Sequence, residues 1–176
     1  MFIAHGPAGY LLAKTVYRDR GKNQLILILI TVAASLAPDL DLLYFYLIDH
    51  RAHNHHSYWP HIPFYWLLIY CLAIGVAVAL NAERFLAFAS AAFLGVGLHL
   101  FLDTITGGIR WIFPFSNKYY AFVDIPAVYS WWVLNFLLHW TFLLEIILVL
   151  LACYQIKFAH SLFFRSCDTE SIDMGL

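Results

Sequence analysis

Residues 62–81 run for twenty positions without a charged or histidine side chain. A stretch of that kind, wound as a helix, matches the ~30 Å hydrocarbon core of a bilayer. It has few other places to go in a chain of 176 residues, because about a third of the surface of so small a fold stays wet. Residues 131–158 make a second such stretch, interrupted by His139 and Glu145. Residues 84–106 make a third, apolar until His99 and Asp103 near its end. A fourth, 24–48, is long enough but is cut in the middle by Pro38-Asp39-Leu40-Asp41. A fifth, 3–17, is short and carries His5 and Lys14. The pattern predicts an all-α, polytopic integral membrane protein of about five transmembrane helices, the first two short or broken. Residues 1–158 form one helical membrane domain in this reading, and 159–176 a polar C-terminal tail.

Composition agrees. The chain is 62% hydrophobic and 12% charged, with a mean hydropathy of +0.74, whereas soluble domains are nearer half apolar and about a quarter charged. A net charge of −1 leaves no basic stripe to neutralise phosphates, which excludes a nucleic-acid binder. Cys71, Cys153 and Cys167 are odd in number and far apart, so neither a disulfide framework nor a zinc ribbon is expected. The first residues carry no basic side chain before His5 and Pro7 and do not read as a signal peptide.

If every helix crosses, residues 18–23, 82–84 and 159–176 share one side. With the adjoining helix ends, that side holds Lys14, Arg18, Arg20, Lys22, Arg84, Lys157 and Arg165, against Arg51, Arg110 and Lys118 opposite. Seven cations against three place the first side in the cytoplasm. The same alternation carries nearly every histidine and three aspartates to the other face, although their positions played no part in choosing the topology.

Each polar group has a plain structural reading beside the functional one. Asp39 and Asp41 could end one helix and cap the next, but carboxylates inside apolar runs cost ~2.5–3.5 kcal/mol each and usually mark a function. His99 and Asp103, four apart, project from one helix face. They suit either an internal hydrogen-bonded pair or a metal ligand with its supporting carboxylate. The run from His50 to His61 holds five histidines in twelve residues. They are interfacial polar groups or metal ligands, since neutral imidazole beside carboxylate suits Zn²⁺, Mn²⁺ or Fe²⁺. His139 reads better as a core histidine, and His160 as part of a solvated end.

The ordered set of His5-Gly6, Pro38-Asp39-Leu40-Asp41, the 50–61 loop, His99-x-x-x-Asp103 with Thr106-Gly107-Gly108, and Phe113-Pro114 resembles a known family. These are the membrane-bound metal-dependent hydrolases described as LexA-binding inner-membrane proteins. The resemblance covers residues 5 to about 115 and implies a bacterial inner-membrane location. It also implies a metal site drawn from His5, Asp39, Asp41, His56, His61, His99 and Asp103, with Asp39 and Asp41 as catalytic candidates. The chain departs from the pattern at the loop. The family's His-Arg-Gly-x-Thr-His fits either His50-Arg51-Ala52-His53-Asn54-His55, which keeps the arginine, or His56-Ser57-Tyr58-Trp59-Pro60-His61. The second is preferred because His61 then opens the next helix.

The expected function is a metal-dependent hydrolase acting at the membrane surface on a phosphoester or lipid-linked substrate. Its cofactor would be a divalent metal, zinc foremost, with manganese and iron also suited; its partners are the bilayer and that substrate. The alternative is a metal-binding transporter or sensor without hydrolysis. A di-iron desaturase fits less well, since the chain has one dense histidine cluster rather than several separate ones.

Overall fold

The computed structural model describes residues 3–173, with side chains described over 3–157; His160 and the 159–176 tail side chains lie outside that range. Among the described residues there are seven α-helices and no strand. They are α1 (His5–Val16), α2 (Gln24–Leu36), α3 (Asp41–Leu47), α4 (Pro63–Ala79), α5 (Glu83–Thr106), α6 (Trp132–Leu137) and α7 (Thr141–Asp173).

The predicted break in the second helix is present, and its cause is local. Pro38 has no N–H for the carbonyl one turn back. The chain tightens into a 3₁₀ turn over Pro38–Leu40, with Ala37 N–H reaching Ala34 O at 3.3 Å and Leu40 N–H reaching Ala37 O at 3.1 Å. The two halves meet at 46°.

A second break falls where one continuous helix was expected. Residues 131–158 divide into α6 and α7, and α7 runs on to Asp173 instead of ending near 158. The reason lies at His139: its Nδ1 accepts from Thr141 N–H at 3.4 Å and lies 2.9 Å from Thr141 Oγ1. A side chain that captures the first donors of a following helix starts a new one there.

Helix α5 is the centre, packed by α2, α1 and α4. Small residues let the backbones close. A Cβ on Gly95 would collide with the Thr31 carbonyl and stand 2.9 Å from Ala34 Cβ, and one on Gly9 would collide with Ser35 Oγ. Close crossings through small residues are the usual packing of helices in lipid, where no hydrophobic force separates helix from tail. Hydrogen bonds pin the same crossings: Thr31 Oγ1 donates to Leu27 O and lies 3.2 Å from Ala91 O, and Ser35 Oγ donates to His5 O at 3.0 Å. Glu145 of α7, 1% exposed, accepts from the backbone N–H groups of Ile3 and Ala4. It thereby places a carboxylate at the positive end of α1. At the far end of α5, Phe122 and Val123 donate to the Thr104 and Ile105 carbonyls at 2.8 and 2.9 Å, satisfying two acceptors that a helix end leaves open.

The outward faces are apolar. Leu25 and Leu29 of α2, Leu68 and Leu72 of α4, and Leu150 and Tyr154 of α7 are half to two-thirds exposed or more. Contiguous apolar surface of this extent belongs against lipid or a partner. Among the described residues, helix α5 alone is long and apolar enough to cross a bilayer, and the bent α2–α3 pair makes a second candidate span.

Candidate metal centre

Three helix ends and one loop meet at a single point: the start of α1, the bend after α2, the last turns of α5, and the two 3₁₀ turns His55–Ser57 and Trp59–His61. The Gly95 and Gly9 crossings draw these ends together. His5, His56, His61, His99 and Asp103 are all buried there, although the sequence spreads them over nearly 100 residues.

The direction of each imidazole is settled by what holds its other nitrogen. A carbonyl oxygen can only accept, so His99 Nδ1–H donates to Ser35 O at 2.8 Å, and His56 Nδ1–H donates to Gly107 O at 2.7 Å. The Ser35 carbonyl stands at the end of α2, where the bend leaves acceptors open. His61 Nδ1–H donates to Asp41 Oδ2 at 2.8 Å. With Nδ1 protonated, the Nε2 atom of a neutral ring carries a lone pair, and three of these lone pairs turn toward the two remaining carboxylates.

The distances are those of a coordination shell. His61 Nε2 and His99 Nε2 stand 3.3 Å apart. Asp103 Oδ2 lies 3.0 Å from His99 Nε2 and 3.6 Å from His61 Nε2, and Asp39 Oδ1 lies 3.7 and 3.6 Å from the same two nitrogens. Four donors arranged tetrahedrally at ~2.1 Å from one ion would be ~3.4 Å from each other. Asp39, His61, His99 and Asp103 could therefore hold a metal ion. So many acceptors facing one another are tolerable only around a positive charge.

Without a metal, that charge is a proton. Burial alone would lower the His61 imidazole, but the Asp39 and Asp41 carboxylates outweigh it and push it up to about 9. His55 goes the other way, to about 3, through burial and then the neighbouring His56 and His61 rings. His56 is lowered as well, chiefly by burial. Both are therefore neutral at physiological pH, the form in which imidazole binds metal.

Every residue expected at the site lies in or against it, with different parts to play. Asp41 does not face the cluster; it orients His61. His5 stacks on His99 with ring centroids 3.9 Å apart and sets its Nε2 3.2 Å from Asp103 Oδ1. His55 lies outside the set expected from the sequence, yet it forms a second metal-capable group with His56 and His61. Only the rival alignment of the loop contained it. His53 is 68% exposed and pairs with Asp49 at 2.9 Å, outside the cluster, and His139 serves the start of α7. Gly107 belongs to the Thr106-Gly107-Gly108 motif, and a Cβ there would collide with the His56 ring.

Beside the cluster lies a cavity of about 800 Å³, lined in part by Asp39, His55 and His56. Its apolar wall includes Leu42 and Phe45 of α3 with Trp132 and Phe136 of α6, and His50 and Arg51 also border it. His50 and Arg51 both have left-handed backbone, φ 47° and 64°, and Arg51 N–H donates to Phe45 O at 2.9 Å. Such a conformation is unusual in residues with a Cβ and gathers at functional sites.

Compared with known proteins, the chain matches over residues 1–165 the model of a family described as YdjM inner membrane protein. No curated protein and no solved structure matches it.

Proposed function

The chain belongs to the YdjM inner membrane protein family, and from that placement we propose that it is a metal-dependent hydrolase of the bacterial inner membrane, acting on a phosphoester or lipid-linked substrate. The observation that carries the reading is the convergence of His61 Nε2, His99 Nε2, Asp39 Oδ1 and Asp103 Oδ2 at 3.0–3.7 Å beside a cavity that is apolar on one side and cationic on another. The donor set fits a divalent ion because Ser35 O and Asp41 fix two of its imidazoles with their lone pairs inward. Zinc suits these donors best, and manganese or iron could take them.

The chemistry a divalent ion would supply, if held by Asp39, His61, His99 and Asp103, is an acidified water and polarisation of a phosphoryl oxygen. The chain's own residues do the rest. Asp39 has a side chain 27% exposed, against 2% for Asp103 and 6% for Asp41. It is thus the carboxylate that can meet water from the cavity: with Oδ1 turned to the imidazoles, its Oδ2 is the oxygen left to accept the water's proton as general base. Asp41 acts through His61, holding the ring's tautomer and direction. Arg51 offers a cation for a phosphate oxygen, while Leu42, Phe45, Trp132 and Phe136 offer an apolar wall for the remainder of an amphiphile.

Residues 1–158 form one membrane unit in this proposal. It crosses the bilayer five times, with α1, the bent α2–α3 pair, α4, α5 and α7 as the crossings. The bilayer is the partner of the exposed leucines, and the metal centre sits on the side away from the cytoplasm. A second reading is a metal transporter or sensor, favoured by the broken α2–α3 span, since discontinuous helices often line transport sites. Against it, α4 offers no charged or histidine side chain to extend a path.

The test is turnover by detergent-purified protein on a panel of phospholipids and lipid phosphates, with Asp41→Ala as the blank, alongside elemental analysis. The hydrolase reading expects metal-dependent cleavage that chelator abolishes and the variant lacks. Equal turnover in the variant sinks it. Bound metal without turnover on any lipid moves the protein to the transporter or sensor reading.

A further inference from the structure

We propose that the centre holds two divalent ions, an inner one enclosed by Asp39, His61, His99 and Asp103 and an outer one held by His55 and His56 on the cavity side. The proposal rests on the metal-binding reading above and extends it. The donors exceed what one ion can use. His55, His56 and His61 form one metal-capable group, and Asp39, His61, His99 and Asp103 form another, with donor atoms in each within 4.8 Å of one another. His61 belongs to both groups, yet its Nδ1 is committed to Asp41, so its single Nε2 lone pair serves one ion. Committing it to the inner ion leaves His55 and His56 as a pair, with ring centroids 4.1 Å apart and the His56 Nε2 direction already set by Gly107 O.

Asp103 supplies the link. Its Oδ2 lies 3.0 Å from His99 Nε2 and 3.6 Å from His56 Nε2, between the inner donors and the outer pair. A carboxylate so placed can bridge two ions at the ~3.5–4 Å spacing of two-metal hydrolytic sites. Charge points the same way. Asp39, Asp41 and Asp103 together carry three negative charges when ionised, which one divalent ion leaves under-neutralised in a buried site. Two ions leave a single positive charge, ready for a phosphate or hydroxide. Access divides the pair by role. Both outer ligands, His55 and His56, line the cavity, whereas of the four inner donors only Asp39 does, and His61, His99 and Asp103 do not. The outer ion therefore keeps open positions for substrate, as catalytic sites do, and the inner one is the more enclosed, meeting the cavity only on its Asp39 side.

The experiment loads detergent-purified full-length protein with Mn²⁺, removes loosely held ion by desalting, and measures manganese per chain together with its paramagnetic resonance spectrum. Two ions per chain with an exchange-coupled spectrum are expected. The His55→Gln/His56→Gln variant should fall to one ion per chain with an uncoupled spectrum, and His53→Ala, altering an exposed histidine outside the cluster, should keep two. One ion per chain in the unaltered protein at saturation overturns the proposal without needing any variant to fold. Two ions retained in the double variant, or one lost in His53→Ala, overturns it as well. No ion in the unaltered protein overturns the underlying metal reading with it.

Discussion

Asp41 shows how a carboxylate can matter without meeting a ligand. It holds His61 Nδ1 at 2.8 Å, and partners of this kind usually contribute 10–100-fold to metal affinity. Asp41→Asn can still accept from His61 but loses the charge, so metal affinity should fall about 10–100-fold with the fold intact, as read by competition against a chelator of known affinity. Unchanged affinity would mean His61 needs no such support. The same pair sets a pH dependence. His61 is pushed up to about 9, so a metal ion binding near neutrality must displace its proton. Apparent affinity should then rise roughly tenfold per pH unit from about 7 to about 9 and release about one proton per ion. Titration calorimetry in buffers of different ionisation enthalpy would count that proton, and a pH-independent affinity over this window would remove His61 from the site. For the metal-free protein the sign reverses. A raised folded value stabilises below the ordinary 6.5 and loses that contribution as pH rises through about 9. Metal-free protein should therefore melt lower at pH 9.5 than at pH 6.5 on account of this group.

At the scale of elements, the site depends on how closely α2 approaches α5. Gly95 has no room for a Cβ against Thr31 O and Ala34, while Gly97, two residues on in the same helix, meets nothing within 4 Å. Gly95→Leu should destabilise the protein by about 1–3 kcal/mol, as overpacking does, and should weaken metal binding because Ser35 O and His99 would separate. Gly97→Leu is the control and should do neither. Thermal unfolding in detergent with metal titration reads both effects, and equal behaviour of the two variants would contradict the crossing described. The two helix breaks differ in how they could be foreseen. Pro38 announces the first, because a missing N–H is a property of the residue itself. The second depends on His139 turning back onto Thr141, a side-chain choice that apolar periodicity does not express.

For the molecule as a whole, the unequal distribution of cations carries the topology. The proposal places Lys22 in the cytoplasm and Lys118 on the opposite face with the metal centre. Cysteines introduced at these two positions, with the native Cys71, Cys153 and Cys167 removed, should label from opposite sides of sealed vesicles. Labelling from one side would eliminate the five-span arrangement and with it the placement of the centre away from the cytoplasm.

Lipid compatibility, helix-forming segments, the Pro38 break and the co-location of His5, Asp39, Asp41, His56, His61, His99 and Asp103 were all legible in the chain. They follow from local properties: apolar run length, a proline, a four-residue spacing, and the alternation of helix ends. What each residue does at the site was not legible. Asp39 and Asp41 are near neighbours of the same type, yet one faces the imidazoles and the other stands behind His61. The two alignments of the 50–61 loop could not be separated by pattern either, and the structure draws from both, burying His56 and His61 while bringing His55 beside them. Such distinctions depend on ring orientation, and that is decided by acceptors such as Ser35 O and Gly107 O. Backbone carbonyls are the same in every residue. Which of them is open, and to which histidine, is determined only when the helices have packed.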